Sequence, residues 1–277
     1  MPTPVLQPAS PGAPGAASVA VAPAPQSAVV AVAARRSRWW VEALLVVWLA
    51  WVYDATTNLA PLRVHAALVH ARGVLHVEQW LGIDPERPLD HWLAAHHALG
   101  LVVSNYYDNA HFVVTFGLLG WLWWARADIY RPLRNILLLS NVLAFVVFWR
   151  FPVAPPRMLG GFTDVVASSG AIGSWHGHSG LASHANELAA LPSLHIAWAA
   201  WCTLAVWRAT RRAWARTLAA VYPLATTFAV ISTGNHFVLD VVAGLVTFAA
   251  SVALVRLLEG ARASRRGRST AIPAPGG

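Results

Sequence analysis

The stretch STGNHFVLDVVAGLVTFAASVALVRLL, residues 232–258, gives the clearest indication of the fold. Its apolar part, residues 237–258, carries only two charged side chains, Asp240 and Arg256. An apolar run of this length is what an α-helix needs to cross the hydrocarbon core of a bilayer. The stretch therefore predicts a membrane-spanning helix with a polar sequence, Asn235-His236, directly before its first turn.

The composition extends this prediction to the whole chain of 277 residues, which is 57% hydrophobic and only 12% charged. Such a balance is typical of an integral membrane protein. We predict an all-α fold, a polytopic bundle of six membrane-spanning helices. The predicted spans are residues 39–60, 105–124, 135–151, 193–207, 217–232 and 237–258. Tryptophan and tyrosine mark many of their ends, among them Tyr106 and Tyr107, as in an aromatic belt at the membrane interface.

The arginines predict the orientation of the bundle. Fifteen of the twenty basic residues, all of them arginine, flank the spans on the side that holds both chain termini. The positive-inside rule then places both termini in the cytoplasm. Residues 61–104 and 152–191 lie outside, and residues 61–104 are predicted to form interfacial helices on the outer leaflet. The arginines flank apolar runs and form no aromatic-interleaved patch, which argues against nucleic-acid binding.

Three parts complete the predicted organisation. Residues 1–34 are rich in proline and alanine and are predicted to be a disordered tail. Residues 35–260 form the six-helix membrane domain, and residues 261–277 form a disordered basic tail. The single cysteine, Cys202, lies inside an apolar run, which excludes a disulfide framework or a thiolate metal site.

Polar residues at the mouths of two spans predict chemistry at the outer surface. His236 and Asp240 are four residues apart and share a helix face, so the carboxylate can hold one imidazole nitrogen and leave the other free to attack. Pro192-Ser193-Leu194-His195 opens another span, where His195 is placed to protonate a leaving oxygen and Ser193 to donate a hydrogen bond.

Two arginines after the third span suit phosphate. Arg150 and Arg157 bracket the sequence Phe-Pro-Val-Ala-Pro-Pro, and a guanidinium offers a fixed fork of donors to phosphate oxygens. Their alternative role is to reach lipid head groups from a helix end. Asp108, His111 and Asn235 are further candidate pocket residues, although Asp108 and His111 equally suit polar contacts inside the bundle.

These motifs together resemble the type 2 phosphatidic acid phosphatase superfamily. Its members carry a basic residue, six residues and Arg-Pro; then Pro-Ser-Gly-His; then Ser-Arg, five residues, His, three residues and Asp. Arg150 and Arg157 match the first motif, Pro192-Ser193 and His195 the second, and His236 with Asp240 the third. The resemblance implies a phosphohistidine intermediate on His236, protonation of the leaving group by His195, and no metal or other cofactor.

Three positions depart from the family pattern. Met158 follows Arg157 in place of proline, and Leu194 replaces the motif glycine. The motif Ser-Arg falls at Ala229-Val230, so one phosphate-clamping arginine is absent. The residues of the remaining motifs resemble those of the inositol phosphotransferase and inositol phosphorylceramide synthase branch more than those of the common phosphatases.

The leading functional prediction is a plasma-membrane enzyme that cleaves a lipid-linked phosphate or pyrophosphate ester at the outer face. Water or an alcohol such as inositol would accept the phosphoryl group, and the partners would be this lipid substrate and membrane lipids. The alternative is a lipid or anion transporter that uses the arginine-lined pocket; internal repeats, typical of many transporters, are absent. The loop histidines His176, His178 and His184 are predicted to be solvated, since no matching acidic or thiol ligand accompanies them.

Overall fold

A computed structural model of the protein describes residues 38–58, 63–171 and 188–270, of which residues 49–58 and 266–270 are described by their backbone alone. Nine α-helices are found in these ranges. They are α1 Trp39–Asn58, α2 Val64–Leu81, α3 Glu86–Ala94, α4 His97–Ala125, α5 Ala127–Arg150, α6 Val165–Ser169, α7 Leu194–Ala209, α8 Ala213–Ser232 and α9 Val238–Thr270. The described ranges contain no β-strand, only an isolated parallel bridge between Val153 and Ala189.

The all-helical prediction is confirmed, and a helix occupies each of the six predicted spans. Their ends differ where polar residues lie. Helix α5 begins eight residues before the predicted boundary, because its polar first turns are paired with α1. There the Glu42 carboxylate accepts hydrogen bonds from Tyr130 at 2.8 Å and from Arg134 at 2.6 Å. Helix α9 continues to Thr270, past the predicted domain boundary at residue 260, through alanines and arginines that favour helix.

Among the residues whose side chains the structure describes, three helices are long and apolar enough to cross a membrane. They are α5, α8 and the Val238–Arg265 part of α9. Helix α4 has 29 residues but carries the polar sequence Ser104-Asn105 and, one turn on, Asp108-Asn109; α7 has only 16 residues. The described structure thus supports a membrane-associated helical protein and bears out only part of the predicted six-span count.

A buried core joins the long helices. Trp201 of α7 is fully buried, and its indole Nε1 donates a hydrogen bond to the Leu133 carbonyl of α5 at 2.8 Å. Gly244 of α9 faces the Ser193 carbonyl at the start of α7, where an added Cβ would overlap that oxygen. The approach of α9 to α7 is therefore close enough to require a residue without a side chain.

Extended segments on both sides of the undescribed residues 172–187 hold the beginning of α9. The Val153 amide donates to the Leu188 carbonyl, and the Ala190 amide returns a bond to the Val153 carbonyl, both at 3.1 Å. The Ala154 amide donates to Ala67 of α2. Phe237, fully buried, packs in the same cluster. The proline-rich sequence after α5 thus serves as a scaffold that connects α2, the 188–190 segment and α9.

Candidate active site

A tight turn between α8 and α9 presents His236. The amides of Asn235 and His236 both donate to the Val230 carbonyl, at 3.2 and 3.0 Å. Gly234 has φ of +68°, a left-handed conformation that side chains rarely adopt. A Cβ at Gly234 would also lie 3.0 Å from the Asp90 carboxylate and 3.1 Å from the Thr163 carbonyl. The glycine therefore permits both the turn and its close packing.

The His236 ring is buried, with 4% of the residue exposed, and is oriented through one nitrogen. Its Nδ1 lies 2.9 Å from the Ala190 carbonyl oxygen and 3.3 Å from Asp240 Oδ2. Both neighbours are acceptors, so Nδ1 carries the proton. The Nε2 atom makes no hydrogen bond within the described part of the chain, which leaves its lone pair available for attack.

Asp240 links the two predicted motifs. It is fully buried, and its Oδ2 accepts a second hydrogen bond from the Phe237 amide at 2.9 Å. Its backbone carbonyl accepts a hydrogen bond from the Ser193 amide at 3.0 Å. The buried Ser193 hydroxyl has no hydrogen-bond partner among the described residues. The beginnings of α7 and α9 therefore meet, with a hydroxyl available to a ligand.

His195, one residue into α7, faces His236 edge-on with ring centroids 5.5 Å apart. Tyr107 of α4 stacks on the other side of His195 at 4.6 Å, and His111 meets it edge-on at 4.3 Å. The predicted pocket residue His111 thus belongs to this cluster. Tyr107, predicted only as a belt residue, stacks directly on His195. The sequence does not indicate this contact, because it depends on the packing of α4 against α7.

Arg157 is fixed beside the His236 turn. Its Nη1 donates to Asn235 Oδ1 at 2.8 Å, and its Nε donates to Asp164 Oδ2 at 3.1 Å. Its backbone amide donates to the Gly234 carbonyl at 2.8 Å. A guanidinium held from two directions is oriented before any ligand arrives. Asp164 was not singled out in the sequence, since nothing in its surroundings distinguishes it from other loop carboxylates.

The remaining predicted residues lie at the end of α5, within α4 or outside the described residues. Arg150 is exposed at the end of α5 and forms no hydrogen bond or ion pair with the described residues. Asp108 is buried in α4, one turn before His111. Val230, at the position of the missing family arginine, is fully buried among Ile196, Ile231 and Val241. The loop histidines His176, His178 and His184 lie outside the described residues.

Two carboxylates of the outer segment 61–104, which the sequence did not mark as site residues, bind the beginning of α9. Glu78 of α2 and Glu86 of α3 are both fully buried. Glu78 Oε1 accepts the Leu239 amide at 2.6 Å, and Glu86 Oε1 accepts the Val238 amide at 2.8 Å. With Asp240 on the Phe237 amide, three consecutive amides at the beginning of α9 each donate to a carboxylate. Acidic groups at a helix N-terminus are favourable.

Fold and site together define a helical, membrane-associated protein with paired histidines, a buried carboxylate and an oriented arginine. Residues 72–254, more than half of the chain, match the PAP2 superfamily. The chain belongs to this superfamily, whose members are generally phosphatases. No curated protein and no solved structure gives a significant match. The superfamily prediction is thereby confirmed.

Proposed function

We propose that the protein is a membrane phosphoesterase or phosphotransferase that acts on a lipid-linked phosphate or pyrophosphate through a phosphohistidine on His236. The proposal rests on the hydrogen bonds of the His236 ring. Its Nδ1 donates to the Ala190 carbonyl and the Asp240 carboxylate, and its Nε2 forms no hydrogen bond with the described residues. Superfamily membership supports phosphoester cleavage as the reaction type.

In the proposed first step, the Nε2 lone pair of His236 forms a bond to phosphorus and the bond from phosphorus to the leaving oxygen breaks. His195 gives its proton to that oxygen. In the second step His195 takes a proton from water or an alcohol, whose oxygen attacks phosphorus while the phosphorus–nitrogen bond breaks. The Nδ1 proton stays on His236 throughout and faces Ala190 and Asp240.

Arg157 and Ser193 are the proposed phosphate ligands. Arg157 is oriented by Asn235, the residue before His236, and the Ser193 hydroxyl is buried without a partner in the described chain. Charge on the transferring phosphoryl oxygens is where preorganised donors contribute most. Arg150, exposed at the end of α5, is proposed to meet phosphate or lipid head groups at the rim of the site.

The proposed setting is a plasma membrane crossed six times, with both termini in the cytoplasm and the site on the outer face. The arginine distribution supports this orientation, since most arginines flank the ends of the helices opposite the site. The many exposed apolar side chains of α9, including Leu245, Val246 and Leu257, suit contact with lipid.

The test is turnover by the purified protein in detergent or vesicles, with a panel of lipid phosphates and pyrophosphates, with and without inositol. Release of inorganic phosphate identifies a hydrolase, and a phosphorylated alcohol identifies a transferase. His236→Ala and His195→Ala are expected to abolish turnover, while His97→Ala, at an exposed position at the start of α4, is expected to retain it. Full activity of His236→Ala would refute the proposal.

A further inference from the structure

The carboxyl groups of Glu78 and Glu86 form a buried pair beneath the beginning of α9. Each residue is fully buried, and the two side chains interact with each other. Neither forms an ion pair within the described part of the chain. The charged groups that face the pair, Asp84 and Asp240, are themselves acidic.

The hydrogen bonds limit where a proton can lie. Both Oε1 atoms accept backbone amides of α9, so a proton on the pair must be carried by an Oε2 atom. Neither Oε2 atom has a hydrogen-bond donor from the described residues. Two ionised carboxylates would thus be buried side by side with unsatisfied oxygens, which is costly. One proton between them removes one charge and supplies the missing donor.

The charge environment agrees with this placement. Burial raises the pKa of Glu78 from its ordinary value of 4.5 to about 9, and the neighbouring Glu86 carboxyl adds to the rise. Burial also raises the pKa of Glu86. Both shifts favour a proton on the pair, which lies next to the positive end of α9.

We propose that the Glu78–Glu86 pair, holding one shared proton, positions His236 and Asp240 by fixing the amides of Val238 and Leu239. The two amides lie between His236 and Asp240 in sequence. Any shift of this turn therefore moves both His236 and Asp240. Glu78 and Glu86 act through the backbone and touch no reacting atom. This positioning role rests on the proposed function, whereas the shared proton does not.

The first test concerns the proton and needs no substrate. Because the folded-state pKa of Glu78 exceeds its unfolded value, the folded protein binds a proton that the unfolded chain has lost. Stability from this group is fully present below about pH 4.5 and is lost as pH rises to about 9. Glu78→Gln keeps an acceptor for the Leu239 amide but has no proton to lose.

Unfolding midpoints of the detergent-purified protein are measured from pH 5 to 9. We expect the midpoint of the wild type to fall with pH more steeply than that of Glu78→Gln. Gln79→Ala, at the exposed neighbouring position of α2, should keep the wild-type slope. Equal slopes for the wild type and Glu78→Gln would overturn the shared proton, whether or not the protein turns over lipid phosphates.

The second test concerns positioning and uses phosphate release from the lipid panel. Glu78→Ala and Glu86→Ala should lower kcat by about tenfold or more, because loss of the caps displaces the turn. Glu78→Gln should keep most of the wild-type kcat, and it should lack the decline in rate that we expect of the wild type as pH rises through about 9. Folded alanine variants with wild-type kcat, or a Glu78→Gln variant with the same alkaline decline, would overturn the positioning role.

Two outcomes separate the possible failures. If the alanine variants do not fold, the comparison of Glu78→Gln with the wild type still decides both points, since Gln preserves the cap. If the wild type shows no turnover on any substrate, the proposed function fails together with the positioning role, and the unfolding slopes decide the shared proton alone.

Discussion

Substitution of Gly244 by alanine probes how closely α9 must approach α7. A Cβ at this position would overlap the Ser193 carbonyl oxygen and lie 3.2 Å from Cβ of Ile196. Ordinary contacts need about 3.5 Å or more, so the beginning of α7 must move away from α9 by roughly 1 Å. Ser193 and His195 move with it, because they belong to the same turn of chain.

The magnitude follows from two opposing terms. Overpacking costs about 1–3 kcal/mol, and replacing glycine by alanine inside a helix returns about 1 kcal/mol. The net loss of stability is thus at most about 2 kcal/mol, and the protein should still fold. A misplacement of about 1 Å in an active site can cost about 100-fold in rate. We therefore expect a folded Gly244→Ala variant with roughly 100-fold lower kcat.

The assay is phosphate release from the best lipid substrate, together with the unfolding midpoint in the same detergent. Gly260→Ala is the matched control, since it makes the same change in the same helix at a position where no atom lies within 4 Å of the added Cβ. The control should keep wild-type kcat and gain slightly in stability. Wild-type kcat in Gly244→Ala would refute the close-approach argument.

Three further substitutions test the site. Asp240→Asn should lower kcat by about 100-fold. This loss is smaller than the one that removal of the orienting carboxylate causes in a Ser-His-Asp triad, because the Ala190 carbonyl still holds His236 Nδ1 at 2.9 Å. Steady-state kinetics measure kcat, and an unchanged value would contradict the orienting role of Asp240. Arg157→Lys cannot hold Asn235 and Asp164 together and should lower kcat/KM by about tenfold; equal kcat/KM would remove Arg157 from the site. Tyr107→Leu should lower kcat by up to about tenfold through loss of the ring stacked on His195, whereas Tyr107→Phe should not.

The sequence was enough to predict the helical class and the segments that become the long helices, because long apolar runs determine them directly. It was also enough to predict that His195, His236 and Asp240 lie close together, as they do in the described structure. The spacing of four residues predicts the contact of Asp240 with His236, although His236 lies in the turn before α9 and not on the predicted helix face, and a proline-serine sequence before a helix marks His195. These features depend on local sequence alone.

The remaining parts of the site depend on contacts between distant segments. The Ala190 carbonyl reaches His236 only because residues 188–190 pair with Val153. Such a backbone acceptor cannot be recognised from the type of any side chain. The sequence does not distinguish Glu78 and Glu86 from the other carboxylates of residues 61–104. Only the packing of α2 and α3 against the beginning of α9 shows that these two accept its amides. The overlap that a Cβ at Gly244 would make with the Ser193 carbonyl likewise follows only from the packing of α9 against α7.

In the proposed reaction the phosphoryl group passes through Nε2 of His236. The most direct measurement is rapid alkaline quenching of the purified protein during turnover of a lipid substrate labelled in its phosphate, followed by mapping of the label. Alkaline conditions preserve phosphohistidine. We expect label on the peptide that contains His236, and no label in His236→Ala. Label on another residue, or sustained turnover by His236→Ala, would contradict it.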